Sequence, residues 1–316
     1  MLKLNPAFKD YIWGGNKLKE LYGKKTTLQI TAESWELSTH KDGPCTLQEG
    51  EGKVITLTEY LKEKGNLLGT KAAQQDELPI LIKLIDAKDH LSVQVHPDDA
   101  YAIANEGDLG KTEMWYVLEA EPGAQLVYGF TKDITKEEFE IYIANNTLTE
   151  VLNYVEVKKG DTFFIEPGTM HAIGKGLVIA EVQQSSNVTY RVYDYGRVGG
   201  DGKPRELHVK QAVEVTNLKA ANKSHVTYEM QIHEGYKRGQ LASCNYFNVE
   251  FIEVDTQAQL RVDETSFHAL LILEGDVKIT LGEEILEATK GETLFIPAQK
   301  ANYKVEGTSQ ILLSYL

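Results

Sequence analysis

Residues 91–100 read LSVQVHPDDA, an alternation of polar and β-branched residues. A strand through this run puts Ser92, Gln94 and His96 on one face and Val93 and Val95 on the other. Pro97 ends the run directly after the histidine. Glu113 opens the next apolar run, EMWYVLEA, and His171 follows a Pro-Gly turn after DTFFIEP. Two imidazoles, a carboxylate and an amide oxygen form a borderline-to-hard donor set that suits zinc, manganese or ferrous iron. The same spacing also fits two histidines hydrogen-bonded near loop ends, and it does not separate the two readings.

These residues need strands to bring them together. Short apolar runs broken by Gly, Pro, Asn and Asp fill most of the chain: ILIKLIDA, LSVQVH, EMWYVLEA, AQLVYGF, DTFFIEP, GLVIAEVQQ and VTYRVYDY, then NYFNVEFIEV onward. Helix is expected near 56–70 and 134–153, where Thr56 precedes Glu59 and Thr135 precedes Glu138 at capping-box spacing. We read these two as a small helical insertion around a β core. KGDTFFIEPGTMHAI from Lys159 and KGETLFIPAQKANYKV from Lys290 form a weak repeat, Lys-Gly-acid-Thr, apolar strand, Pro. Two copies imply a mainly β protein built from two β-barrel or jelly-roll units of similar build. His171 stands four residues after Pro167, whereas Ala301 stands four after Pro297, so only the first copy keeps a ligand.

Bulk properties narrow the function. The 316 residues carry a formal charge of −14, which argues against nucleic-acid or anionic-membrane partners. A phosphorylated ligand would need a few local cations working against that field. No run approaches the roughly 20 apolar residues that span a bilayer, and no signal-peptide core is visible. Cys45 and Cys244 match no ligand spacing and read as free thiols, so the expected location is cytoplasmic.

SVQVHPDD, KTEMWYVLEA, PGTMHAIGKG and EVQQSSNVTYRVYDYGR, with YIWGG and AESWELSTH further upstream, closely resemble type I phosphomannose isomerases. The match runs in order to about Arg205 and then becomes architectural, in the manner of the compact bacterial form. The resemblance implies a cupin fold: a catalytic domain over 1–235 and a cupin-like barrel over 236–316 without metal ligands. It also implies one Zn2+ per chain, held by Gln94, His96, Glu113 and His171. Pocket residues fall on Ser92, Lys111, Glu181 and Arg191, with Arg197 as a further cation. The implied reaction interconverts mannose 6-phosphate and fructose 6-phosphate through an enediol, in a monomer or weak homo-oligomer.

The chemistry is consistent with those residue types. Proton transfer between C1 and C2 needs a titratable group, for which Glu181 and Lys111 are the protein candidates. Arg191 can stabilise an oxyanion or bind phosphate in a fork, as can Arg197 for phosphate. Two alternatives stay open at this point. A non-catalytic sugar-phosphate-binding bicupin would use the same pocket without turnover. A non-haem iron cupin dioxygenase would share the two histidines and carboxylate, although Lys111, Arg191 and Arg197 fit an anion better than dioxygen.

Overall fold

Alternation of side chains about each strand decides which residues reach the interior, and the second of two compact units shows it directly. A computed structural model describes residues 1–316 except 51, 74, 76, 200–201 and 222–224. By internal contacts the chain groups into residues 1–9, 16–84 and 227–316, and residues 10–15 and 85–226. The resemblance implies a boundary at 235/236, whereas this grouping places 16–84 with the C-terminal strands.

In the unit of residues 85–226, one sheet runs in the order Leu152–Glu156, Gln125–Phe130, His171–Ile173, Val93–Val95, Tyr190–Tyr193. Val93, Val95, Val127, Met170, Ala172, Tyr190 and Val192 all sit in one buried apolar cluster. Phe139 of the helix Lys136–Ala144 and Ala212 of the helix Val209–Val215 complete it. Because strand side chains alternate, the residues between these must face the other way: Gln94, His171, Arg191 and Tyr128. Register agrees, with His171 opposite both Tyr128 and Gln94, and Gln94 opposite Arg191. A polar row thus crosses the sheet on its inner face.

Strands Thr162–Ile165, Glu113–Ala120 and Leu177–Gln184 pair in that order in the same unit. Glu113 stands opposite Ile165 and Gln183, and Trp115 opposite Phe163 and Glu181. In the other unit, Ile252, Leu270, Ile272, Leu294, Ile296, Val305 and Ile311 pack into an apolar core. The sequence repeat is visible in the pairing. Thr162–Ile165 pairs with 113–116, and Thr293–Ile296 pairs with 268–271, so His268 occupies the place of Glu113. His268 bonds there to Tyr303 at 2.8 Å.

The two expected helices start where their capping boxes lie, Thr56 with Glu59 and Thr135 with Glu138. They fall in different units, so they are not one inserted helical subdomain. The second also ends early. The helix stops at Ala144, Asn146 takes a left-handed φ of 59°, and a 3-10 turn over Leu148–Glu150 leads into the strand Leu152–Glu156. Asn tolerates that backbone, and it breaks the helix that the sequence pattern carries to 153. Helices Lys17–Tyr22, Asp99–Asn105 and Val209–Val215 were not expected, being too short for a helical period to show.

Gly168 shapes the loop that delivers His171. Its φ is +85°, its N–H donates to the His96 carbonyl at 2.8 Å, and an added Cβ would lie 2.8 Å from the Val215 carbonyl oxygen. Gly168→Ala combines left-handed strain with a backbone clash. It should lower stability by about 1–3 kcal/mol in urea unfolding; an unchanged midpoint would show that the loop accommodates a side chain.

Candidate metal centre and its surroundings

His96, Glu113 and His171 offer ligand atoms that all lie within 4.8 Å of one another, and all three residues are buried. His96 follows the strand Val93–Val95, Glu113 opens Glu113–Ala120, and His171 opens His171–Ile173. The two Nε2 atoms are 3.1 Å apart. Glu113 Oε1 is 3.3 Å from His171 Nε2, and Oε2 is 3.7 Å from His96 Nε2. The Gln94 amide Nε2 lies 3.4 Å from His171 Nε2; turning that amide over presents Oε1 at the same place.

The second ring nitrogens fix the tautomers. His96 Nδ1 is 2.8 Å from the Val188 carbonyl, and His171 Nδ1 is 2.8 Å from that of Thr169. A carbonyl only accepts, so each Nδ1 carries the proton and each Nε2 keeps its lone pair for the cluster. Two lone pairs at this distance beside a carboxylate repel unless a cation lies against them. The donor set therefore fits a divalent ion such as zinc, with His96, Glu113 and His171 as ligands and Gln94 as an available fourth. Burial pulls the His171 imidazole down to about 4, with Lys111 adding to the effect, while the Thr169 carbonyl opposes it. The ring is neutral near pH 7, as a ligand must be.

Lys111 brings positive charge to the cluster. Its buried Nζ is 2.9 Å from Glu113 Oε2 and 3.2 Å from His96 Nε2, and its backbone N–H bonds to Pro97. Ser92 is buried, with its hydroxyl a long 3.4 Å from Gln94 Oε1. Glu181 Oε2 accepts from the Trp115 indole N–H at 2.8 Å, and that indole meets the His171 ring edge-on at 5.3 Å between centroids. Glu181 thus abuts the cluster through an aromatic spacer. Arg191 lies one strand beyond Gln94. Its Nη1 donates to the Glu206 carbonyl at 2.9 Å, and its buried Nε has no hydrogen-bond partner among the described residues. Burial, then Arg205, lower its pKa from the ordinary guanidinium value. Arg197 bonds instead to Asp194, 2.5 Å away.

The sequence reading passed over Trp115, Asp194 and Arg205. Trp115 sits two residues from Glu113 and so shares its face, a signal that was there to use. Asp194 and Arg205 lie 11 positions apart and carry no periodic signal. Cys45 and Cys244 are both free, and burial raises the Cys45 thiol far above its usual range. Among the described residues no helix is long and apolar enough to cross a membrane.

The architecture is mainly β with a buried two-histidine, one-carboxylate group that could hold a metal ion, and the C-terminal residues 237–316 match the cupin domain of mannose-6-phosphate isomerase. Residues 1–123 match the catalytic domain of type I phosphomannose isomerase. A mannose-6-phosphate isomerase of Bacillus subtilis is 37% identical over 316 residues, covering 100% of this chain and 98% of that one. One of Streptococcus mutans is 38% identical over 306 residues, 96% of this chain and 94% of its own. The crystal structure of the mannose 6-phosphate isomerase from Bacillus subtilis superposes with a TM-score of 0.92 at 32% identity, covering 100% and 99% of the two chains. The chain belongs to the type I phosphomannose isomerase family.

The buried imidazole has a consequence for stability. Its folded pKa of about 4 lies below the ordinary 6.5, so between those values only the unfolded chain takes up the proton. Its contribution is therefore complete above pH 6.5, declines as pH falls, and is exhausted below about 4. In metal-free protein the decline should be on the order of 3 kcal/mol. Urea titrations of wild type and His171→Gln across that range should show the extra slope in wild type alone; parallel curves would mean that His171 titrates normally.

Proposed function

We propose that this chain is a metal-dependent aldose–ketose isomerase that interconverts mannose 6-phosphate and fructose 6-phosphate, with one zinc per chain. The observation that carries the reading is the inward convergence of two imidazole Nε2 atoms on a carboxylate, with Lys111 beside them and Arg191 one strand away. Whole-length similarity to proteins named mannose-6-phosphate isomerase supports the substrate. The fuller architecture belongs to the same proposal: two jelly-roll barrels of cupin type, the catalytic one within 1–235 and a second over 236–316 that keeps no ligand set. So do a cytoplasmic location, a monomer or weak homo-oligomer, and the absence of nucleic-acid or membrane partners.

When bound, zinc supplies Lewis acidity to a sugar oxygen as negative charge develops at C1 or C2, a stabilisation worth several kcal/mol. The protein's own groups do the rest. Lys111 and Glu181 are the titratable side chains for moving a proton between the two carbons. Glu113 anchors the Lys111 ammonium, and the Trp115 indole anchors the Glu181 carboxylate, so both are held in place. The Arg191 guanidinium stays cationic and can pair with an oxyanion or a phosphate oxygen. Ser92, buried beside Gln94, offers its hydroxyl to a sugar or phosphate oxygen.

A coupled assay following fructose 6-phosphate from mannose 6-phosphate, with and without chelator, tests the reading. Turnover that chelator abolishes and zinc restores is expected; oxygen uptake with stoichiometric iron would instead support the dioxygenase alternative. Arg191→Ala should cut turnover about 100-fold or more while zinc content holds. His171→Ala should lose the zinc itself, measured by elemental analysis. Full metal retention in His171→Ala would remove that residue from the centre.

A further inference from the structure

The helix Val209–Val215 begins without an ordinary cap. That position usually holds Ser, Thr, Asp or Asn, whose side-chain oxygen accepts from a free N–H of the first turn. Here it holds His208, and among the described residues its side chain makes no such bond. The acceptor is used on Arg191 instead. The Arg191 backbone N–H donates to His208 Nδ1 at 3.3 Å, and the His208 backbone N–H donates to the Arg191 carbonyl at 2.8 Å. Arg191 Nη1 donates to the Glu206 carbonyl at 2.9 Å. Residues 206–208 therefore hold Arg191 at both backbone groups and at the guanidinium.

The place of Arg191 in the sheet explains why it needs that hold. Its strand, Tyr190–Tyr193, is the last in the sheet order, and the register against Val93–Val95 shifts between Arg191 and Tyr193. An irregularity in an edge strand bends the backbone and re-aims the side chains beside it. A second set of bonds on the outer side fixes that aim. His208 is suited to supply them. A backbone N–H only donates, so Nδ1 carries a lone pair and the neutral ring keeps its proton on Nε2. Burial, then Arg191, lower the His208 pKa while Glu206 and Glu106 oppose them, and the ring is neutral near pH 7. The ring is itself held in place. Its centroid lies 6.2 Å from that of Tyr190, whose hydroxyl donates to Glu106 at 2.9 Å. The Ala212 N–H donates to the His208 carbonyl at 3.0 Å, and Ala212 is buried in the apolar cluster with Tyr190 and Val192.

We propose that His208 is a positioning residue for Arg191: its Nδ1 lone pair fixes the edge strand where the arginine leaves it, and turnover depends on that hold. The inference rests on the isomerase reading above, in which the Arg191 guanidinium meets negative charge developing on the sugar. Displacing such a group costs rate more than substrate affinity, because the charge appears in the transition state. The missing cap is the counterpart of this arrangement. The helix forgoes a stabilising bond, and the arginine gains one.

The test uses zinc-loaded full-length protein carrying His208→Ser, His208→Asn, Arg191→Ala, or His208→Ser with Arg191→Ala, beside wild type. Serine is a good cap but too short to reach the Arg191 N–H. His208→Ser should lower kcat for mannose 6-phosphate about tenfold, with KM within about twofold, zinc content unchanged and the urea midpoint no lower than wild type. His208→Asn, whose amide oxygen stands near the place of Nδ1, should recover part of the loss. In the Arg191→Ala background His208→Ser should change kcat by less than about twofold, since the group it positions is gone. A kcat within twofold of wild type in His208→Ser would overturn the proposal, as would a tenfold fall that persists without Arg191. If His208→Ser does not fold, His208→Ala decides by the same kinetic readouts. Should wild type leave mannose 6-phosphate unconverted, the proposed function fails, and hydrogen exchange at the Arg191 amide decides the hold by itself. That amide should exchange at least about tenfold faster in His208→Ser, and equal protection would overturn the proposal.

Discussion

The site depends on one packing constraint: Val93 and Val95, Met170 and Ala172, Tyr190 and Val192 are committed to a single apolar cluster. Once those residues are buried there, the pleat leaves Gln94, His171 and Arg191 no direction but inward. A register slip of one residue would bury an imidazole or a guanidinium in hydrocarbon and expose valine. Hydrophobic burial on the outer face thus aims the chemistry on the inner one. Backbone carbonyls finish the job by claiming the Nδ1 protons of His96 and His171, so that both rings offer lone pairs.

Electrostatics divides this interior into two parts. Near Glu113 the donors are neutral or anionic, and they attract cations, of which the Lys111 ammonium is one. Near Asp194 the balance reverses, because three arginines outnumber one buried carboxylate. A ligand carrying a hydroxylated carbon chain at one end and a dianion at the other suits both parts.

Much of this was legible in the sequence, for physical reasons. Period-two alternation in SVQVH reports the face of Gln94 and His96 because strand geometry is local. The capping-box pairs at Thr56 and Thr135 mark helix starts for the same reason. The repeat predicted equivalent strands, and their pairing is equivalent, with His268 where Glu113 would be. What stayed hidden is set by tertiary contact. Asn146 ends a helix through a backbone state that composition permits but does not demand. The Asp194–Arg205 ion pair joins residues 11 positions apart, and the Glu181–Trp115 bond spans 66 positions. No periodicity encodes such pairings.

The central claim is that these inward side chains hold one divalent ion. X-ray absorption at the zinc edge on purified, zinc-loaded protein addresses it most directly. The account predicts one zinc per chain with two imidazole nitrogens at about 2.0–2.1 Å and oxygen ligands at about 2.0–2.2 Å, both imidazole signals diminishing in a His96→Ala variant as the ion is lost. Sulfur neighbours, or a bound zinc whose imidazole shell is untouched by changes at His96, would place the ion elsewhere and contradict the account.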